Sequence, residues 1–128
     1  MGRPVVMADI ESRLDDFGPL ATLVTVTDAG APHVGTVLVT AVAGNLCMQV
    51  GPRTVDNVRD HPDVTLAWIH PGRDYQLIID GSASCADAIG EDGLRTLVVR
   101  VEQGILHRLA DRPTAGPTCI PLSRQTSS

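Results

Sequence analysis

Lysine is absent: all ten basic residues among the 128 are arginine, set against fifteen Asp and Glu for a formal net charge of −5. That balance argues against a general nucleic-acid binder, whose affinity rests on clustered positive charge meeting phosphate. Aromatic residues number three, Phe17, Trp68 and Tyr75, so the core has to be built from Val, Leu, Ile and Ala. No apolar run approaches the ~18 to 20 residues of a membrane-spanning helix, and Met1 to Met7 lacks the long apolar stretch of a signal peptide. Three scattered cysteines, Cys47, Cys85 and Cys119, contain no CxxC pair. They make a poor disulfide framework and read as small buried thiols in a reducing compartment. The histidines, His33, His61, His70 and His107, show no HExxH or other compact metal spacing, so no metal site is expected. These absences predict a soluble, cytoplasmic protein that binds neither membrane nor nucleic acid. It would form one domain over residues 1–128, with a core from about 9 to 109 and a surface tail over 110–128.

The residues that are present alternate at short range. Ile10, Leu14 and Phe17 share a helical face over Asp9–Phe17, with Asp9 as the cap and Gly18-Pro19 as the stop. β-Branched residues and threonine then predict a strand over Leu20–Thr27. After the Gly-containing turn at 28–32, a second strand runs from His33 to about Val42. Ala43-Gly44-Asn45 turns the chain into a third, Leu46–Val50. Thr54 can cap a short helix carrying Val55 and Val58, which His61-Pro62 ends. Strands follow over Val64–Ile69 and Tyr75–Ser84, with Gly81 as a bulge or kink. Ala86–Gly93 reads as a surface connection. Leu97–Glu102 and Ile105–Leu109 read as two last strands around Gln103-Gly104. Six or seven short strands with one central helix predict a small antiparallel barrel, whose closure removes exposed edges.

The most informative local feature is the strand-to-helix turn Gly51-Pro52-Arg53-Thr54. A helix's first turn presents unpaired N–H groups and partial positive charge, and Arg53 adds a fork of donors beside it. Such a turn suits a phosphate. The same residues also fit a plainer reading, in which Thr54 only caps the helix and Arg53 is solvated. Elsewhere, His107 on the last strand is a possible proton donor or a solvated residue, and Cys47 has no base beside it.

Four segments, in order, resemble the pyridoxamine 5'-phosphate oxidase-like, FMN-binding split-barrel family. Leu20 to Val26 with Gly30-Ala31-Pro32-His33-Val34 is similar to its opening hairpin, and Gly51 to Val58 to its phosphate-binding turn. His61-Pro62-Asp63-Val64-Thr65-Leu66 is similar to the entry to its next strand, and Tyr75 to Ala83 to its "Q-V-x-V-x-G-x-A" strand. The resemblance spans roughly Pro19 to Ser84. It implies a mostly β fold, an antiparallel six- to seven-stranded split β-barrel with short helices, working as a homodimer with cofactor between subunits. It further implies that Arg53 grips the flavin phosphate, with Gly51, Thr54 and Asn57 in the same turn. Gly35, Thr36 and Val37 would run along the isoalloxazine, and Gln49 and Val50 would approach it from the next strand. Gln76 would reach it across the dimer interface, and Trp68 would line the cavity. The activity implied is that of an FMN-dependent oxidoreductase acting on a small molecule. The alternatives are a deazaflavin-dependent reductase of the same fold and a non-enzymatic flavin- or haem-binding protein. The family's vitamin B6 oxidases carry an "R-x-H" motif near the C-terminus, which Leu106-His107-Arg108-Leu109 does not match. No catalytic residue is assigned.

Overall fold

A computed structural model of the chain describes residues 7–70, 72–90, 92–109 and 119–122. In order, the elements are α1 (Met7–Phe17), β1 (Leu20–Val26), β2 (Pro32–Leu38), β3 (Thr40–Val42), β4 (Asn45–Val50), α2 (Pro52–Asp60), β5 (Asp63–Trp68), β6 (Tyr75–Ile89), β7 (Arg95–Arg108) and β8 (Cys119–Pro121). One antiparallel sheet runs β2-β1-β5-β6-β7-β4-β3, with β8 added to β7. The two outermost strands, β2 and β3, are separated in the chain by Val39 alone. The sheet therefore curls so that its first and last strands follow one another in the chain, a split half-barrel open at its β2 and β3 edges. Val39 is buried, and its N–H donates to the Pro19 carbonyl at 2.8 Å. The single strand expected from His33 to about Val42 is thus two strands, β2 and β3, with the break at Val39.

Leu23, Leu46, Met48, Leu66, Trp68, Leu77, Ile79, Leu97 and Val99 fill the inside of the barrel. Each large side chain contributes about 1.5 to 3 kcal/mol by leaving water. α1 adds Ile10, Leu14 and Phe17 to this core, and α2 adds Val55 and Val58. α1 begins at Met7, so Asp9 lies within its first turn and does not cap it.

The second half of the chain departs most from the sequence pattern. β7 is one strand of fourteen residues, where the alternation suggested two. Asp80 faces Gln103 and Gly81 faces Val101, so Glu102 is an extra residue on β7. This bulge shifts the inward positions from Leu97, Val99 and Val101 to Gly104 and Leu106, a change of parity that mimics a break. β6 likewise continues to Ile89, where a longer surface connection was expected, and Gly90 N–H donates to the Leu94 carbonyl just ahead of β7. Within the expected surface tail, Cys119–Pro121 form the short strand β8 against β7, and Leu122 after it is buried; the rest of 110–128 lies outside the described residues. Cys47 and Cys85 are half-buried and Cys119 is exposed, which corrects the expectation of three buried thiols.

Gly81 stands opposite the bulge, and a Cβ there would lie 2.5 Å from the Arg100 carbonyl oxygen and 2.6 Å from Val99 Cγ1. Neighbouring backbone cannot retreat cheaply. Gly81→Ala is expected to destabilise the fold by about 1 to 3 kcal/mol, the cost of overpacking a core. At Gly104 a Cβ would meet the ends of the Leu122 and Ile10 side chains at 2.8 and 3.0 Å. Those ends can rotate, so Gly104→Ala should cost less. Denaturant melts of the two variants check the order.

Candidate functional site

α2 begins directly where β4 ends. Gly51 is its N-cap residue, Pro52 occupies the first turn, and no side chain caps the helix. Thr54 therefore sits inside the first turn and is not the cap that the sequence suggested. Pro52 has no N–H to satisfy, and Val55 N–H already reaches Gly51 O at 3.2 Å. The Arg53 and Thr54 amides remain as the end of the helix that faces outward, with the Arg53 side chain exposed beside them. In chemical terms this is a small anion cradle of two amides, a hydroxyl and a guanidinium.

α2 is held on the barrel by a polar contact that sequence reasoning missed. Asn57, buried, donates from Nδ2 to Thr25 Oγ1 at 3.1 Å, and Thr25 Oγ1 lies 3.5 Å from His33 Nδ1. Asn57 thus positions the helix from underneath. The available signal was an asparagine next to Val58 on the helix's otherwise apolar inner face.

The other expected site residues separate by face. Val37 and Val50 point into the core and are buried, so they can offer a ligand only backbone. Gly35 faces inward opposite Leu23, with nothing within 4 Å of the place a Cβ would take. Thr36 and Gln49 are on the outer face, and Gln49 Nε2 donates to Thr96 Oγ1 at 2.7 Å. Trp68 is 1% exposed and belongs to the core, with no hydrogen-bond partner for its indole N–H. Gln76 lies on the outer face opposite His107, whose Nδ1 is buried and also lacks a partner. Within one chain Gln76 and His107 lie far from Gln49 and the α2 turn that follows it. Gln49 pairs with Thr96 on β7, while Gln76 pairs with His107, eleven residues farther along that strand. At about 3.3 Å per residue that is roughly 35 Å of strand path.

The outer face carries a second missed feature. Leu20, Val34, Leu38 and Ile69 are all more than half exposed. Leu20 pairs with Leu38 and Val24 with Val34 on β1 and β2. Ile78 and Ile105 continue the apolar stripe across β6 and β7. The signal was present in the sequence as apolar residues at both parities of β1, where a half-solvated strand would alternate.

Beside the β1–β2 turn, the pKa of the Asp28 carboxyl is raised above its ordinary value. The first cause is its hydrogen bond with Asp60 at the end of α2, followed by charge repulsion from Asp60; His61 opposes the shift weakly and Asp56 adds to it. A pKa raised by folding gives stability in acid that is lost as pH rises through the folded value. Asp28→Asn should therefore raise the melting temperature at pH 7, and the gain should vanish below about pH 4, where both forms carry a donor. Melting curves across that range check the sign.

Among the described residues no three His, Cys, Asp or Glu side chains gather as a metal site, and no helix is long and apolar enough to cross a membrane.

A one-sheet antiparallel barrel, left open between its first and last edges and braced by a helix after β4, defines the chain as a split barrel. No family model and no curated protein sequence matches it; solved structures do. A candidate pyridoxamine 5'-phosphate oxidase from Listeria innocua has TM-score 0.65 at 15% identity, covering 79% of this chain and 98% of that one. An F420 reductase has TM-score 0.55 at 17% identity, covering 64% and 85%. HutZ, the haem storage protein of Vibrio cholerae, has TM-score 0.60 at 16% identity, covering 73% and 91%. The fold is thus that of the pyridoxamine 5'-phosphate oxidase-like split barrels, as the sequence motifs implied. Three described roles on one fold mean that the likeness fixes architecture and leaves chemistry to the site.

Proposed function

We propose that the chain is an FMN-dependent oxidoreductase that works as a homodimer, with each flavin held between two copies. The observation that carries the reading is the first turn of α2: it is uncapped, and the exposed Arg53 stands beside its amides. Arg53, the Arg53 and Thr54 amides and the Thr54 hydroxyl would hold the phosphate. Asn57 keeps that turn seated on β1. Gly35, with open space above it, leaves room for a flat ring against the β2 backbone. Gln76 and the unpartnered Nδ1 of His107 would meet the ring from the second copy, because one chain keeps them away from Arg53. The exposed stripe through Leu20, Leu38 and Ile69 supports the dimer, since an apolar patch of this kind on a monomer would promote association.

FMN supplies the hydride chemistry when bound, so this chain's own residues bind, orient and keep water away. The substrate expected is small and planar or apolar.

The absorbance spectrum and mass of whatever co-purifies test the cofactor. Near-ultraviolet and blue flavin bands with the mass of FMN support the reading. A single deazaflavin band or a Soret band would replace it with a deazaflavin reductase or a haem protein.

A further inference from the structure

At the end of the barrel covered by α1 lies a cleft of about 430 Å³, lined by Arg13, Phe17, His70, Gly72, Arg73, Asp74, Tyr75 and Leu106. That is the size range of a small-molecule site. It is separate from the α2 turn. The chain is acidic overall, yet two guanidinium groups and an imidazole converge here.

The donors are held in place. Asp16 lies 3.9 Å from both Arg13 Nη1 and Arg73 Nη2, and its carbonyl oxygen accepts from Arg73 Nη2 at 3.3 Å. The Arg73 guanidinium also lies over the Phe17 ring, 5.4 Å from its centroid. A guanidinium has five donors, so one carboxylate at this distance leaves both arginines with capacity. His70 Nδ1 accepts the Gly72 N–H at 3.1 Å. That bond puts the neutral ring's proton on Nε2, which makes the free edge of the ring a donor. Asp74 contributes a negative charge to the lining, so the cleft is not a general anion trap. It is a donor-rich mouth over an apolar floor.

The floor is apolar: Leu106 is 6% exposed and continues the inward row that runs through Leu77 to Trp68. Donors at the mouth over an apolar floor complement a ligand with an anionic end and an apolar body.

We infer that this cleft binds a small aromatic carboxylate, its carboxylate toward Arg13 and Arg73 and its ring against Phe17 and Leu106. Calorimetric titration with anthranilate, and with its uncharged amide 2-aminobenzamide, tests this. Saturable binding of anthranilate at one site per chain is expected, with the amide at least about tenfold weaker. Arg73→Gln should weaken anthranilate by about tenfold or more, because a charge-assisted contact is lost. Arg13→Gln, on the half-exposed side of α1, should weaken it in the same direction without disturbing the Phe17 stack. It serves if Arg73→Gln does not fold. Equal affinity for acid and amide, no saturable heat with anthranilate, or unchanged affinity in a folded variant would each overturn the inference.

Discussion

Arg53→Ala is expected to weaken FMN binding by about one to two decades and to leave riboflavin binding unchanged. In the proposed site the guanidinium meets a phosphate dianion at the first turn of α2, and no lysine exists anywhere in the chain to substitute for it. Charge-assisted contacts of this kind contribute roughly 1.5 to 3 kcal/mol. Riboflavin has the same ring and no phosphate, so its affinity should not register the change. Arg53 is exposed, so stability should hold. The same logic predicts that salt weakens FMN binding and spares riboflavin. Fluorescence titration of both flavins against both proteins measures the four affinities. Equal losses for the two ligands would place Arg53's role in the fold and not at the phosphate.

The second large effect concerns assembly. Ile69 is 65% exposed in the single chain, so Ile69→Arg costs the folded subunit little. Buried in an interface of the size obligate dimers use, roughly 2,000 Å² or more, an unpaired arginine is costly. Leaving a charge buried and uncompensated costs about 3 to 5 kcal/mol, roughly two to three and a half decades in dissociation constant. The wild type should therefore sediment as a dimer at micromolar concentration and Ile69→Arg as a monomer with an unchanged melting profile at low concentration. A wild type that sediments as a monomer would remove the shared site altogether.

Most of the fold was legible because the local signals agreed with one another. The Gly51-Pro52 break, the His61-Pro62 stop and the Gly-rich turns all sit where the elements change. Gly81 was readable as an irregularity, although the extra residue proved to be Glu102 on the opposing strand. That displacement explains the main error. A bulge inverts the inward parity of every residue after it, so one bent strand looks like two straight ones in a one-dimensional pattern. β8 was invisible for a different reason: three residues on a sheet edge carry too little periodicity to be recognised, and their place is set by pairing with β7 and by Leu122 packing over Gly104.

The site was legible in part. The α2 turn is legible because its four residues are consecutive, Gly51 to Thr54, at the junction of β4 and α2. Thr54 was misread because serine and threonine are favoured caps, whereas Pro52 belongs in a helix's first turn and so moves the cap back to Gly51. The resemblance implies that Trp68 lines the cavity, while the register turns it into the barrel core. Gln76 could not be placed relative to Arg53 from sequence at all. Their separation depends on how far along β7 each neighbouring strand pairs.

The central claim is that one flavin site draws on two chains. A heterodimer carrying Arg53→Ala in one copy and Gln76→Ala in the other, purified through two different tags, tests it directly. If Arg53 and Gln76 of different copies meet at one flavin, both defects fall in the same site and the other site is intact. FMN titration should then find one site of wild-type affinity per heterodimer. If each site is built within a single chain, both sites carry one defect, and no wild-type site will be found.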